Sequence, residues 1–470
     1  MAELDNIETP ESELDAAPRE AESGRPVLPV EEVRAAIAAD DSERLRALVG
    51  DLHEADLGDL IHELTAEERP KLIGLLGPDF DFAALTELDD TVRLEILEEL
   101  PTETIVEGLR ELDSDDAVYI LEDLEDHERA EILQHLPLPD QVALKRGLDF
   151  PEDSAGRLMQ TDFVALPPFW TVGHTIDYLR ETREVPDTFY EIYVIDPAFK
   201  LIGAVPLHAL LRARRQEQLS AILNDDPRRV RATQDQEEVA RIFERYNLVS
   251  AAVLDESERL VGVLTVDDIL DVIQEEADED LRAMGGVFGD EELSDNVLYT
   301  ARSRFVWLIV NLATAFLAAS VIGLFEGTIS HMVALAVLMP ICASMGGNAG
   351  TQTMTVTVRA LATGDLQRRN VVRIILREGL VGFVNGVVLA TVLGTIAGLW
   401  FENAQLGAVI GTALVVNMIV AGLFGSLIPL TIHKLKLDPA VASGVFLTTV
   451  TDVTGFFAFL GLATWWFGIS

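Results

Sequence analysis

The sequence predicts a multidomain protein. We expect an all-α superhelical N-terminal domain, an α/β pair of repeated units, a connecting helix and an all-α polytopic membrane domain of five transmembrane helices. Three observations predict this fold class. Short amphipathic helical stretches recur before residue 150, a self-similarity of 59 residues follows, and the last third of the chain holds five long apolar stretches.

Charge is divided very unevenly along the 470 residues. The total net charge is −44, and the residues after Leu298 hold nine Lys/Arg against six Asp/Glu, so the first 298 residues carry −47. Such a field repels nucleic acid and gathers cations, which argues against a DNA or RNA partner. The single cysteine, Cys342, lies in an apolar segment, which excludes an intrachain disulfide and suits a reducing location for the soluble part.

Residues 1–26 are predicted to form an acidic disordered tail, because they are polar, rich in Ala and Pro, and free of aromatic side chains. Residues 27–150 predict a helical domain in which amphipathic helices recur at roughly 24 residues. We expect Pro101, Pro137 and Pro139 to separate these helices.

Residues 151–216 and 217–273 predict two copies of one βαββα unit, called here repeat unit 1 and repeat unit 2. Tyr-Val-Ile-Asp at 193–196 is echoed by Ala-Val-Leu-Asp at 252–255, and Lys-Leu-Ile-Gly at 200–203 by Arg-Leu-Val-Gly at 259–262. Each copy then passes from a strand pattern into a helix start.

A connecting helix is predicted over 274–298, continuous with acids at the end of repeat unit 2. Its like charges recur at helical spacing, which destabilises a helix unless something neutralises them. These acids are Asp267, Asp268, Asp271, Glu275, Glu276, Asp278, Glu279 and Asp280. Bound divalent cations would neutralise them, and a solvated connector is the alternative.

The membrane domain is predicted over 299–470. The expected spans are about 305–325, 330–345, 379–401, 406–432 and 439–468. Positive charges gather on one side of this arrangement: Arg302, Arg304, Arg359, Arg368, Arg369, Arg373, Arg377, His433, Lys434 and Lys436. The two remaining loops hold Glu326 and Glu402. We therefore expect the N-terminus inside and the C-terminus outside a cell membrane.

Asp452 stands near the middle of the fifth predicted span, where a carboxylate costs about 2.5–3.5 kcal/mol on insertion scales. Thr448 and Thr449 precede it by four and three residues and Gly455 follows by three, so these groups share a helix face. A path for cations along this side of the helix would explain why polar and small groups share one face. The alternative is a buried Asp that is hydrogen-bonded to the threonines and locks helices together.

Gly346, Gly347 and Asn348 follow the short second predicted span, and Gly350 lies just beyond them. Glycines around an Asn predict an unwound helix whose backbone lines a cavity, because open backbone at membrane depth needs protein or water beside it. A tight packing turn is the alternative.

The repeat resembles a tandem pair of CBS domains, regulatory modules that commonly bind adenine nucleotides. Repeat unit 2 keeps the Gly-x-x-Thr-x-x-Asp run of that family as Gly262, Thr265 and Asp268. Repeat unit 1 has Pro206 and Ala209 at the corresponding Thr and Asp positions. The resemblance implies a nucleotide such as ATP as a candidate ligand of Thr265 and Asp268.

The order of motifs resembles the MgtE family of magnesium channels and transporters over essentially the whole chain after the tail. The motifs are PEDSAGRLM at 151–159, the segment at 340–352, and DPAVASGVFLTTVTDVTGF at 438–456. The resemblance implies a homodimer in the bilayer with a pore between the second and fifth spans. Asp452 would face hydrated Mg²⁺ in that pore, beside Gly346, Gly347 and Asn348.

The resemblance also implies regulatory Mg²⁺ sites outside the pore. The residues it maps onto such sites are Asp115, Asp268, Asp271, Glu276, Glu279, Asp280 and Asp438. The expected function is import of Mg²⁺ down its electrochemical gradient, with closure when cytosolic Mg²⁺ is high. The alternatives are transport of Co²⁺, Mn²⁺ or Ca²⁺, and a membrane-tethered sensor without transport. We expect no enzyme activity, because no HExxH pair is present and His331, at the far membrane edge, is a poor partner for Ser344 or Ser443.

Overall fold

The computed structural model describes residues 28–182, 185–186, 188–287, 297–363, 366 and 371–468. These residues form two compact units, which divide between Val272 and Ile273. The predicted tail, residues 288–296 of the predicted connecting helix, and Arg368 and Arg369 of the orientation argument lie outside the described residues.

Short helices build the N-terminal domain, as their amphipathic pattern predicts. They are α1 (Val30–Ala38), α2 (Ser42–Val49), α3 (Glu54–Glu63), α4 (Arg69–Leu76), α5 (Asp90–Glu99), α6 (Thr102–Leu109), α7 (Ser114–Glu122), α8 (Asp126–His135) and α9 (Leu138–Leu148), with 3-10 turns at Gly77–Asp79 and Phe82–Leu85. Pro101 and Pro137 are the N-caps of α6 and α9, and Pro139 lies in the first turn of α9. The prolines therefore separate helices as expected.

A buried arginine joins two helices of this domain, α5 and α7. Arg93 is fully buried, and its guanidinium donates to Asp90 Oδ1 at 2.5 Å and to Asp123 Oδ2 at 2.7 Å. It also lies 4.4 Å from the ring centroid of Tyr119. Burial raises the pKa of Asp123 even with Arg93 beside it, so this carboxylate depends on the arginine for its charge balance.

The two repeat units have the same topology. Repeat unit 1 contains β1 (Ala165–Leu166), α10 (Val172–Glu181), β2 (Glu191–Ile195), β3 (Leu201–Pro206) and α11 (Leu207–Arg212). The short α12 (Leu219–Ile222) follows. Repeat unit 2 contains β4 (Arg229–Arg231), α13 (Gln236–Tyr246), β5 (Ser250–Leu254), β6 (Leu260–Thr265) and the start of α14 (Val266–Met284). Each sheet has a parallel pair followed by an antiparallel pair.

The register of the two sheets repeats the sequence offset of 59. Glu191 pairs with Pro206 and Ser250 with Thr265, and each hairpin shifts register at the equivalent place, after Val194 and after Val253. The predicted βαββα duplication is thus confirmed down to single ladder pairs. Helix α14 runs unbroken from repeat unit 2 into the predicted connector, so the boundary predicted at 273 falls inside a helix.

Among the described residues of the second unit, five helices are long and apolar enough to cross a membrane, as predicted. The helices of this unit are α15 (Val297–Gly323), the short α16 (Glu326–His331), α17 (Ala334–Ala362), α18 (Val371–Trp400), α19 (Ala404–Lys434) and α20 (Pro439–Phe467). Spans one, three, four and five lie near their predicted positions.

The second span differs from its prediction. We expected a short span over 330–345 that unwinds at Gly346, Gly347 and Asn348, yet α17 is one helix of 29 residues that passes through all three. The physical reason is helix packing. A Cβ on Gly346 would lie 2.2 Å from Nδ2 of Asn417, and one on Gly350 would lie 3.0 Å from Cδ1 of Leu447. These glycines allow close contact between helices instead of opening the backbone.

Replacing Arg93 with Met should destabilise the N-terminal domain by about 3–5 kcal/mol, because the buried Asp123 would lose its counter-charge. Chemical unfolding of the full chain, followed on the transition of the soluble part, measures the effect. Arg110→Met, at an exposed position of the same domain, is the matched control. Equal stability of the two variants would contradict this account of Arg93.

Candidate functional site

The polar face of α20 carries three of the predicted ion-path residues. Asp452 and Thr449 are half-buried and Thr448 is exposed in the single chain. The hydroxyls of Thr448 and Thr449 donate to the carbonyl oxygens of Gly444 and Val445, each at 2.7 Å. A hydroxyl has one proton to donate, so neither threonine donates a hydrogen bond to Asp452. The alternative of an Asp held by these threonine hydroxyls therefore gains no support.

A second polar stripe runs along α17, which packs against α20. Ser344, Asn348, Thr351 and Thr355 are exposed in the single chain at spacings of four, three and four residues, so they share one helix face. Gly347 lies beside this stripe, and a Cβ on it would meet nothing within 4 Å. Polar side chains on the outside of a membrane helix need water or another protein surface beside them.

Gly346 lies on the opposite, buried face of α17 and not on the predicted path surface. It contacts Asn417 of α19, a fully buried side chain whose Nδ2 donates to the carbonyl oxygen of Cys342 at 2.9 Å. Sequence reasoning missed Asn417. The signal was present, because an amide in the middle of an apolar span needs a partner for the same reason as Asp452.

The C-terminal end of α14 lies against both helices that carry the polar stripes. Ala283 packs in one buried cluster with Met354 and Val358 of α17 and with Ala440 and Leu447 of α20. The predicted sensor residues Glu276, Glu279 and Asp280 stand on the same helix, one to two turns before Ala283.

Asp438 is exposed and caps the start of α20. Its Oδ1 accepts a hydrogen bond from the backbone N–H of Ala440 at 2.8 Å. A cap of this kind stabilises the first turn of a helix, which gives Asp438 a structural role beside its predicted metal role.

A second group of carboxylates lies within the first unit, where α7 meets the start of α14. Burial, followed by the charges of Asp268 and Asp116, raises the pKa of Asp115 well above its usual range. Burial and Asp268 raise the pKa of Asp116 to about 7, and burial raises the pKa of Asp268 to about 6. The structure thus brings together Asp115 and Asp268, two residues that the resemblance maps onto regulatory sites, and adds Asp116.

This carboxylate group extends to acids that sequence reasoning missed. Burial raises the pKa of Glu87, with further contributions from Asp271 and Glu54. The sequence offered little signal for these two acids, because Glu54 begins α3, Glu87 lies in the turn before α5, and acids are common throughout the domain.

The chemistry of this group fits a hard divalent cation. Asp115 is buried and its Oδ1 lacks a hydrogen-bond partner, so an acceptor for a cation or for its bound water is already present. Within the described ranges, no three Asp, Glu, His or Cys side chains form a ready-made metal cage. Carboxylates that are close without enclosing an ion suit Mg²⁺, which keeps several waters when bound.

Thr265 and Asp268, the predicted nucleotide ligands, bond to one another. The hydroxyl of Thr265 donates to Asp268 Oδ2 at 2.5 Å, and its backbone N–H donates to the same oxygen at 3.3 Å. This is the pattern of a cap at the start of α14. The pair therefore has a structural role, and Pro206 and Ala209 in repeat unit 1 offer neither side chain.

Three family models match the chain. They are described as a divalent cation transporter (residues 339–462), the MgtE intracellular N domain (residues 52–153) and a CBS domain (residues 219–275). Similar solved structures include the cytosolic domain of the Mg²⁺ channel MgtE in complex with ATP, at 32% identity over 52% of this chain and 99% of that one, with a TM-score of 0.48.

Curated relatives match over greater lengths. The magnesium transporter MgtE of Bacillus subtilis (strain 168) is 31% identical over 419 residues, which is 89% of this chain and 93% of the relative. The magnesium transporter MgtE of Enterococcus faecalis (strain ATCC 700802 / V583) is 37% identical over 68% of this chain and 71% of the relative.

The membrane helices and the matched domains together define a multi-pass membrane transporter of divalent cations with a CBS pair. More particularly, the chain belongs to the MgtE family of magnesium transporters. The resemblance read from the motifs is therefore confirmed.

The raised carboxylate pKa values predict a pH dependence of stability in the absence of divalent cations. The folded-state pKa of Asp116 is about 7 against 3.8 for a free Asp, so between these values the folded state binds more protons than the unfolded state. Stability should fall as pH rises through this window. We expect Asp116→Asn to weaken this fall, measured as the thermal midpoint against pH in a chelator. The exposed Asp51→Asn is the control, and equal slopes in parent and Asp116→Asn would contradict the prediction.

Proposed function

We propose that the protein imports Mg²⁺ across a cell membrane as a channel, down the electrochemical gradient. The observation that carries the proposal is the pair of polar faces on α17 and α20, with Asp452 as a carboxylate at membrane depth. A carboxylate with neutral Thr and Asn oxygens nearby suits a cation that moves with part of its hydration shell.

The proposed pore lies between α17 and α20 of two copies of the chain. The outward polar stripe Ser344, Asn348, Thr351 and Thr355 supports this, because a second copy of the same surface would cover it and enclose water. Two Asp452 carboxylates on a two-fold axis would repel one another when the path is empty, and a divalent ion between them removes that penalty.

The proposed orientation places the N-terminus and the regulatory domains in the cytoplasm and the C-terminus outside. The positive charges at Arg302, Arg304, Arg373 and Arg377, at the starts of α15 and α18, support it.

Cytosolic Mg²⁺ closes the channel in this proposal. Ions at Asp115, Asp116 and Asp268 would hold the N-terminal domain against repeat unit 2, and ions at the acids of α14 would act on the helix whose end packs against α17 and α20. When Mg²⁺ is low, carboxylate repulsion loosens both places and the open form gains population. In the same proposal, ATP bound at Thr265 and Asp268 modulates this closure.

The second candidate function is transport of another divalent cation. Oxygen ligands disfavour soft ions, but they distinguish Mg²⁺ from Mn²⁺ only weakly. Mn²⁺, Co²⁺ and Ca²⁺ are therefore the alternative substrates.

Asp452→Asn should abolish Mg²⁺ uptake while membrane insertion stays intact, because the substitution removes the formal charge from the path and lowers the insertion cost. Uptake by cells that lack their own Mg²⁺ importers measures the effect, with membrane abundance determined in parallel. Thr412→Val, on the exposed face of α19, is the control. Normal uptake by Asp452→Asn would refute the pore assignment.

Changing Glu276, Glu279 and Asp280 together to Gln should remove most of the Mg²⁺ inhibition, because both the repulsion and the ion bridges are lost. The measurement is channel flux against internal Mg²⁺ for the parent and the triple variant. If both close at the same concentration, α14 is a solvated connector and the sensor lies elsewhere.

A further inference from the structure

Asn417 lies at a contact of three membrane helices. Its side chain is fully buried, and Nδ2 donates to the carbonyl oxygen of Cys342 on α17 at 2.9 Å. Glycines make room for the amide on both neighbouring helices. A Cβ would come within 2.2 Å of Nδ2 at Gly346 on α17, and within 2.7 Å at Gly455 on α20.

Both contacts lie within one helical turn of proposed path residues. Gly346 is two residues before Asn348, and Gly455 is one turn after Asp452. Asn417 therefore contacts α17 on the face opposite its polar stripe, and it contacts α20 at Gly455, on the face that also carries Asp452. In addition, Asn417 Oδ1 has no hydrogen-bond partner among the described residues, which is costly in an apolar interior. A residue that only filled space would avoid this cost, since Leu has nearly the same shape and no polar atoms.

We infer that Asn417 is a positioning residue of the ion path, whose amide fixes the spacing of α17 and α20 and thereby sets where Asn348 and Asp452 stand. The inference rests on the proposed pore between these two helices. The hydrogen bond to the carbonyl oxygen of Cys342 orients the amide of Asn417. The two glycines let the amide fit closely, and a side chain at either position would prevent that fit. Asn417 itself does not touch the ion.

The test uses the full chain in proteoliposomes and compares the parent with Asn417→Leu, Gly346→Ala, Asn417→Ala and the Gly346→Ala/Asn417→Ala double variant. Ser426→Ala, a buried position on the same helix, is the matched control. Three quantities are read for each: the thermal midpoint, the rate of Mg²⁺ flux, and the ratio of Mg²⁺ to Ca²⁺ flux.

We expect Asn417→Leu to fold, to lose about threefold to thirtyfold in Mg²⁺ flux, the range that corresponds to one hydrogen bond between membrane helices, and to change the Mg²⁺ to Ca²⁺ ratio. A merely structural role would lower the midpoint and leave that ratio unchanged. The added methyl of Gly346→Ala should lower the midpoint, and Asn417→Ala in the same chain should restore part of the loss. Ser426→Ala should behave like the parent.

The outcomes separate this inference from the proposed function. A parent without Mg²⁺ flux would refute the proposed function, and the midpoints of the Gly346 and Asn417 variants would still decide whether the two residues are coupled. If the parent conducts and Asn417→Leu matches it in rate and ratio, the positioning role is wrong. Strictly additive midpoint changes at Gly346 and Asn417 would also overturn it.

Discussion

Burial of carboxylates close to one another is the constraint on which the first unit depends. In the first unit, burial sets Asp115, Asp116 and Asp268 close together and raises the pKa of each. Elsewhere in the same domain, the buried carboxylate of Asp123 has Arg93 as its partner. The contrast is informative, because the fold can pair a buried acid, yet in the part of the chain that the structure describes no arginine is seen to raise or lower the pKa of Asp115, Asp116 or Asp268. A divalent cation is the natural partner for such a group.

Packing between membrane helices is the second constraint. Lipid supplies no hydrophobic drive for helix association, so close backbone approach and polar contacts hold the bundle together. Gly346, Gly350 and Gly455 provide the close approach, and Asn417 provides the polar contact. The buried face of α17 is thereby committed to packing, and its polar face remains for solvent or a second copy.

The sequence was sufficient for features that depend on periodicity. The 59-residue repeat predicted two copies of one βαββα unit, and the hydropathy predicted five spans, because each is set by local pattern and burial. It was insufficient for the glycine segment of α17. Local propensity favours unwinding there, but the partners that decide the outcome, Asn417 and Leu447, lie on other helices. Glu54, Glu87 and Asp116 were missed for a related reason, since a charge becomes distinctive only when tertiary structure buries it beside another.

Whether this chain alone conducts Mg²⁺ tests the central claim most directly. The purified protein would be placed in proteoliposomes with a fixed membrane potential, and flux of Mg²⁺, Mn²⁺, Co²⁺ and Ca²⁺ would be compared at equal concentrations. The account predicts Mg²⁺ flux that follows the potential and exceeds the flux of the other ions. Absence of flux for every ion would contradict transport by this chain, and a larger flux of another ion would contradict its selectivity for Mg²⁺.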